Sequence, residues 1–136
     1  MSLEIVFYST IYIIGILLGS FFTLATYRIP KKQDIIYTRS YCPNCNHRLN
    51  FIDLIPVLSF LILRGKCRYC KDKISPRYII IELLSGAIYT LIVYGLKIDI
   101  YNINFYNSLV MFLVTIIYSI IAIILGIRIE KWITKK

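Results

Sequence analysis

At 136 residues the chain has the length of one domain, and 58% of its residues are hydrophobic. Soluble domains contain about 45–50% apolar residues, so this composition, with a mean hydropathy of +0.70, excludes an ordinary soluble protein and predicts an integral membrane protein. The net charge of +9 does not indicate nucleic acid as the partner. Its basic residues follow the ends of apolar segments, which favours membrane lipid.

Three apolar segments are long enough to cross a hydrocarbon core, which takes about 20 helical residues. They are residues 5–27, 78–96 and 105–127, and Glu82 is their only charged side chain. The first segment lacks a preceding basic residue and a following small-residue cleavage site, so we expect no removable signal peptide. A fourth run, residues 54–63, contains Pro56 and is too short to span. It predicts a helix that lies in the membrane interface or packs against the surrounding loop.

The distribution of charge predicts the orientation of these segments. Residues 28–77 contain 11 of the 16 Lys and Arg residues against three acids, and residues 128–136 contain four basic residues and one acid. The N-terminus carries only Glu4, and the link between the second and third segments contains Lys97 and Asp99. Because basic loops stay on the cytoplasmic side, we expect residues 28–77 and the C-terminus in the cytoplasm and the N-terminus outside.

Two cysteine pairs lie inside the basic loop, and 21 residues separate Cys42-x-x-Cys45 from Cys67-x-x-Cys70. This spacing is close to that of zinc ribbons, in which four thiolates close a tetrahedral site. Four sulfurs leave no position for water, so the predicted zinc is structural. Disulfides are the alternative, but they need an oxidising compartment. His47 could replace one cysteine, but four sulfurs already complete the tetrahedron, and we expect it outside the ligand set.

A stripe of small residues on the first segment suggests a helix contact. Gly15 and Gly19 form a Gly-x-x-x-Gly pattern, and Ser20 follows it. Small side chains at this spacing let a second helix approach closely.

Glu82 is a functional candidate because ionisable side chains within membrane segments are costly. Ser75 and Pro76 are typical of the start of a helix, which places Glu82 about 9 Å inside it at 1.5 Å per residue. The alternative is a structural carboxylate, either paired with Arg77 or Arg64 or reaching water.

Four stretches of sequence together resemble a known family. They are GSFFTLATYRIP at 19–30, RSYCPNCNHRL at 39–49, DLIPVLSFLILRGKCRYC at 53–70 and ISPRYIIIELLSG at 74–86. In this order and spacing, residues 10–90 resemble the N-terminal domain of bacterial type IV prepilin peptidases, the leader peptidase/N-methyltransferases. Gly86 matches the glycine that closes the family's Glu-Leu-Leu-x-Gly run, and we expect it to permit close helix packing. Residues 91–136 are similar only in hydropathy.

The resemblance implies two chemical steps, cleavage and methylation. These enzymes cleave the basic leader of type IV pilins and of type II secretion pseudopilins, then N-methylate the new terminus with S-adenosylmethionine. Cleavage uses two aspartates on later membrane helices, the second in Gly-x-Gly-Asp, because one carboxylate activates water while the other polarises the carbonyl. The chain contains no Gly-x-Gly-Asp, and it reads IAIILGIRIE where the first aspartate is expected. The sequence therefore predicts no catalytic residues here.

We therefore expect a single all-α domain over residues 1–136 in the bacterial inner membrane, with three transmembrane helices and a cytoplasmic zinc-ribbon-like loop. Its expected role is in prepilin processing, where it supplies this half to a separate aspartyl-protease half or recognises the prepilin leader. Two alternatives remain open. One is a stand-alone N-methyltransferase that binds S-adenosylmethionine, and the other is a non-catalytic adaptor or remnant.

Overall fold

The chain is mostly helical in a computed structural model that describes residues 2–37, 39–98, 100–101 and 104–134. Its helices are α1 (Leu3–Arg28), α2 (Leu58–Ile62), α3 (Arg77–Gly95) and α4 (Phe105–Thr134), and short 3₁₀ turns cover Ile29–Lys31 and Phe51–Leu54. Within the described residues, extended pairing is limited to two single bridges and there is no sheet. This agrees with the predicted all-α class. Asp99, in the link between the second and third apolar segments, lies outside the described residues.

Within the part of the chain that the structure describes, three of the helices are long and apolar enough to cross a membrane, which agrees with the expected number of such segments. α1 and α3 begin and end within two residues of the predicted bounds. α4 differs more, because it continues through Arg128 and Lys131 to Thr134. Charge ends the run of apolar residues at 127, but Arg and Lys are good helix formers and are favourable near a helix C-terminus.

α1 and α3 pack against each other along a stripe of small and buried residues. A Cβ atom added to Gly15 would lie 2.8 Å from the Cα of Gly86, and one added to Gly19 would lie 2.6 Å from the Cβ of Ser85. Such distances leave no room for a side chain, so the two backbones are in direct contact. Because both helices are apolar on all faces, side-chain size rather than polarity selects the buried stripe.

Hydroxyl groups link α4 to α3. Ser85 Oγ lies 2.8 Å from Tyr118 Oη, and Tyr89 Oη lies 2.6 Å from Thr115 Oγ1. The ring of Tyr118 also packs edge-on against Phe22, with centroids 5.5 Å apart. Interhelical hydrogen bonds of this kind hold apolar helices together where no hydrophobic force acts between them.

The loop between α1 and α3 contains a sharp turn just before α2. The N–H of Leu58 donates to the C=O of Pro56, which encloses Val57 in a three-residue turn. Val57 has φ 61° and ψ −52°, a conformation that is rare and strained for a β-branched residue. α2 is therefore confined to five residues, shorter than the predicted run 54–63. The apolar side chains around it are exposed, among them Phe51, Ile52, Leu58 and Ile62.

Candidate metal centre and adjoining groove

The two Cys-x-x-Cys pairs fold into knuckles with the same backbone hydrogen bonds. In the first, Cys42 N–H donates to His47 O over 3.0 Å and Asn46 N–H donates to Cys42 O over 2.8 Å. The second repeats both bonds 25 residues later, from Cys67 N–H to Asp72 O at 2.8 Å and from Lys71 N–H to Cys67 O at 3.1 Å. The repeat extends to the bonds that close each knuckle, Leu49 N–H to Ser40 O and Ile74 N–H to Gly65 O.

The sequence analysis missed this internal repeat because only the cysteines are identical. The signal that could have revealed it is the pattern Cys-x-x-Cys-x-x-basic-aliphatic, which ends at Leu49 in the first knuckle and at Ile74 in the second.

The four cysteine sulfurs form one cluster that fits a tetrahedral metal ion. All four lie within 4.8 Å of one another, and the Sγ atoms of Cys42 and Cys70 are 3.8 Å apart. Zinc bound at about 2.3 Å from each sulfur would set the sulfurs about 3.8 Å apart. A disulfide needs about 2.05 Å between sulfurs, and all four cysteines are free. Four thiolates complete the coordination of a tetrahedral metal ion, which is typical of a structural site.

The electrostatics of the cluster favour a bound cation. The N–H of Cys70 lowers the pKa of Cys67 to about 7, against the effect of burial, and the N–H of Tyr69 and neighbouring sulfurs assist it. At Cys70 the N–H of Asp72 lowers the pKa, but burial and the other three sulfurs raise it, to about 11. One thiol therefore ionises readily, while further thiolates repel one another unless a cation lies between them.

His47 lies outside the sulfur cluster, as the sequence analysis expected. Its ring stacks on Tyr69 of the other knuckle, with centroids 3.6 Å apart. Tyr69 Oη in turn accepts a hydrogen bond from Asn50 Nδ2 over 3.2 Å. The histidine thus links the two knuckles by packing.

A groove of about 680 Å³ lies between the metal centre and the adjoining ends of α1 and α3. Cys42 and Cys67 line its loop side, and its helical walls are largely apolar, formed by residues such as Leu17, Phe21, Leu24, Phe60 and Ile79. Ser20 lines the groove, whereas Gly15, Gly19 and Gly86 lie at the helix contact.

Glu82 lies in the wall of this groove and is only 7% exposed. Its Oε2 accepts a hydrogen bond of 2.8 Å from the N–H of Val57, the strained residue of the turn before α2. Among the described residues, the partner of the carboxylate is therefore a backbone N–H rather than Arg64 or Arg77. A contact 25 residues apart in the chain could not be read from local sequence.

Two further charged residues with buried side chains make contacts that order the loop. Arg28, at the end of α1, is 3% exposed and donates to the carbonyl oxygens of Asp34 and Arg39 over 2.9 and 3.3 Å. Asp53, whose side chain is 2% exposed, pairs with Arg68 Nε at 2.6 Å. The sequence analysis counted both arginines among the basic residues that predict the topology, and it did not predict their structural contacts.

Known proteins match the part of the chain that contains this site. The chain is 39% identical over 105 residues to the prepilin leader peptidase/N-methyltransferase of Vibrio cholerae, covering 71% of this chain and 41% of that protein. It is 42% identical over 79 residues to the Myxococcus xanthus protein of the same name, covering 58% and 24%, and 39% identical over 95 residues to that of Bacillus subtilis, covering 68% and 38%.

The chain thus spans less than half the length of these relatives. No solved structure matches it. The family model for the bacterial peptidase A24 N-terminal domain matches residues 13–96, which include the C-terminal part of α1, both knuckles and α3 in the order that the sequence analysis expected. The resemblance seen in the sequence is confirmed, and the chain belongs to the bacterial peptidase A24 N-terminal domain family.

Proposed function

We propose that this chain acts in prepilin processing at the bacterial inner membrane. In this role it supplies the half of a leader peptidase that contains the two cysteine knuckles. The two catalytic aspartates come from a separate chain or segment. The observation that carries the proposal is the position of the groove, which adjoins the four-cysteine cluster at one end of the α1–α3 pair. Both features lie within the residues that match the family.

The metal in this proposal is one structural zinc ion, held by Cys42, Cys45, Cys67 and Cys70. When bound it supplies charge neutralisation and a rigid link between the knuckles. The residues of the chain then hold the groove open beside the membrane. α1 and α3 fix its helical wall through the Gly15–Gly86 contact, while Arg28 secures the start of the loop.

The proposed topology puts the knuckles and the C-terminus in the cytoplasm and the N-terminus outside. It is supported by the 11 basic residues between 28 and 77, because such loops stay on the cytoplasmic side. Reporter fusions after Lys66 and after Lys136 should both report cytoplasm. An external signal at Lys66 would contradict the topology and make disulfide pairing the better account of the cysteines.

Prepilin cleavage tests the proposed function directly. In nanodiscs, the chain alone should not cleave a prepilin leader, because an aspartyl mechanism needs two carboxylates with opposite protonation and the sequence contains no Gly-x-Gly-Asp. Together with a co-expressed chain that carries the family's two aspartates, it should cleave. Substituting Cys67 with Ser should reduce cleavage by the pair. If the aspartate chain cleaves equally well without this protein, the proposal is wrong.

The groove favours one second candidate, a stand-alone prepilin N-methyltransferase. The relatives carry this activity in their name, and a groove of about 680 Å³ lies in the range of small-molecule sites. Methyl transfer from radiolabelled S-adenosylmethionine to a pre-cleaved pilin by the purified chain would establish it. A non-catalytic adaptor would support neither reaction but would still co-purify with prepilin or with the aspartate chain.

A further inference from the structure

We infer that the carboxylate of Glu82 is the recognition point for a primary amine of a peptide bound in the groove. The inference rests on the proposed role in prepilin processing, and within it on the second candidate reaction, because the amine is the group that prepilin N-methylation would modify. It assigns a binding role to a residue that lies within the family match but outside the metal centre.

The first argument is that one carboxylate oxygen of Glu82 is available to accept a hydrogen bond. Oε2 of Glu82 accepts the N–H of Val57, and Oε1 has no hydrogen-bond partner among the described residues. No fully buried side-chain oxygen in that part of the chain lacks a partner, so Oε1 is partly exposed, and Glu82 lines the groove. A carboxylate oxygen at the wall of an apolar groove is an acceptor for a charged donor.

The second argument is the charge around the groove. Asp53 is neutralised by Arg68, and Asp72 lies on the exposed side of the second knuckle. Arg28 donates to carbonyl oxygens of the loop. Glu82 is therefore the buried acid of the groove that no ion pair in the described residues neutralises. A cation that enters the groove would supply the missing partner.

The third argument identifies the occupant. The wall on either side of Glu82 is apolar and continues onto the faces of α1 and α3 through Leu17, Phe21 and Ile79. An apolar peptide segment that ends in an ammonium group matches both properties, since its side chains cover the wall while its terminus reaches Oε1. Phosphatidylethanolamine combines an ammonium group with apolar chains as well, and it is the competing occupant.

The test measures binding of a short fluorescent Leu/Ala peptide to the full chain in nanodiscs made of phosphatidylglycerol, with empty nanodiscs subtracted. We expect N-terminal acetylation of the peptide to weaken binding to the unmodified protein about ten- to hundred-fold, the range of a charge-assisted hydrogen bond. Glu82→Gln should weaken the free-amine peptide by a similar factor and leave the acetylated peptide unaffected. Glutamine keeps an acceptor for Val57 N–H, so the turn is preserved.

Asp72→Asn is the matched control, because it removes one negative charge at the rim of the groove and should not alter binding. Equal binding of the free-amine and acetylated peptides to the unmodified protein would overturn the inference without any variant having to fold. Equal weakening of both peptides by Glu82→Gln would also overturn it. So would displacement of the peptide by phosphatidylethanolamine in a manner that depends on Glu82, which would assign the site to lipid.

The failure of this inference and that of the proposed function are separable. If Glu82→Gln supports prepilin cleavage with the aspartate chain and the peptide shows no dependence on Glu82, the inference alone is wrong. If the dependence holds but the aspartate chain needs no help from this protein, the proposed function alone is wrong.

Discussion

The α1–α3 pair and the cysteine loop are held together by opposite means. The helix pair relies on direct backbone contact at Gly15, Gly19 and Gly86 and needs no polar group there. Among the described residues from 29 to 76, the residues that are buried as a whole are only Cys42 and Cys67, and the covered side chain of Asp53 is held in an ion pair with Arg68. The loop thus has no hydrophobic core apart from its sulfur cluster. The helices should keep their contact without metal, whereas the loop should not keep its shape.

Removing the metal should have the largest effect and should be confined to the loop. Structural zinc contributes apparent binding free energies of about 10–16 kcal/mol in small zinc domains. We therefore expect Cys67→Ser to abolish stoichiometric zinc in protein purified without chelator and to expose residues 28–77 to limited proteolysis. The helical circular dichroism signal should remain, because α1, α3 and α4 do not depend on the knuckles.

His47→Ala is the control for this experiment, since His47 lies outside the sulfur cluster. It removes the stacking on Tyr69 but should retain the zinc. Elemental analysis that finds no metal in the unmodified protein would contradict the metal site. Loss of zinc in His47→Ala would show that the ligand set is wrong.

A larger side chain in the α1–α3 contact should have the opposite result, because it should destabilise the helix pair and leave the metal centre intact. The position of Gly19 is occupied to within 2.6 Å by the Cβ of Ser85, so Gly19→Leu would force α1 away from α3. Overpacking of this kind costs about 1–3 kcal/mol or more. We expect a lower thermal midpoint in detergent by scanning fluorimetry, with the zinc content unchanged.

Gly95→Ala is the matched control, because a Cβ at Gly95 meets nothing within 4 Å. It should be neutral or slightly stabilising, as Ala is a better helix former than Gly. If Gly19→Leu leaves the thermal midpoint where it is, α1 and α3 do not make this contact in the membrane.

The features that depend on local pattern could be predicted from the sequence, and those that depend on distant contacts could not. The spacing of the cysteines predicted the cluster that contains Cys42 and Cys70, and the length of the apolar segments predicted three long helices. The partner of Glu82 could not be predicted, because it depends on a strained turn at Val57. The residue types at this position do not indicate such a turn. The buried role of Arg28 was hidden for a related reason, since a basic residue at a helix end also satisfies the positive-inside rule.

Removing a hydroxyl from the α3–α4 contact should have a smaller effect. Tyr118 Oη lies 2.8 Å from Ser85 Oγ, and interhelical hydrogen bonds in membranes contribute about 0.6 kcal/mol on average. Tyr118→Phe should lower the thermal midpoint slightly and keep both the zinc content and the α1–α3 contact. Phe112→Leu, at an exposed position of α4, is the control. A loss as large as that of Gly19→Leu would mean that α4 is as essential to the bundle as α3.

The smallest expected effect is a difference between the two knuckles. They have the same backbone conformation, but different residues occupy the left-handed position. Asn46 occupies it in the first knuckle with φ 55°, and Lys71 occupies it in the second with φ 61°. Asn tolerates this conformation better than Lys, and Gly tolerates it best. Lys71→Gly should therefore stabilise the loop by up to about 1 kcal/mol, while Asn46→Gly should be close to neutral. Competition with a chelator at fixed pH measures this as slower zinc loss from Lys71→Gly. Equal gains at the two positions would show that Asn46 and Lys71 are equally strained there and would contradict this prediction.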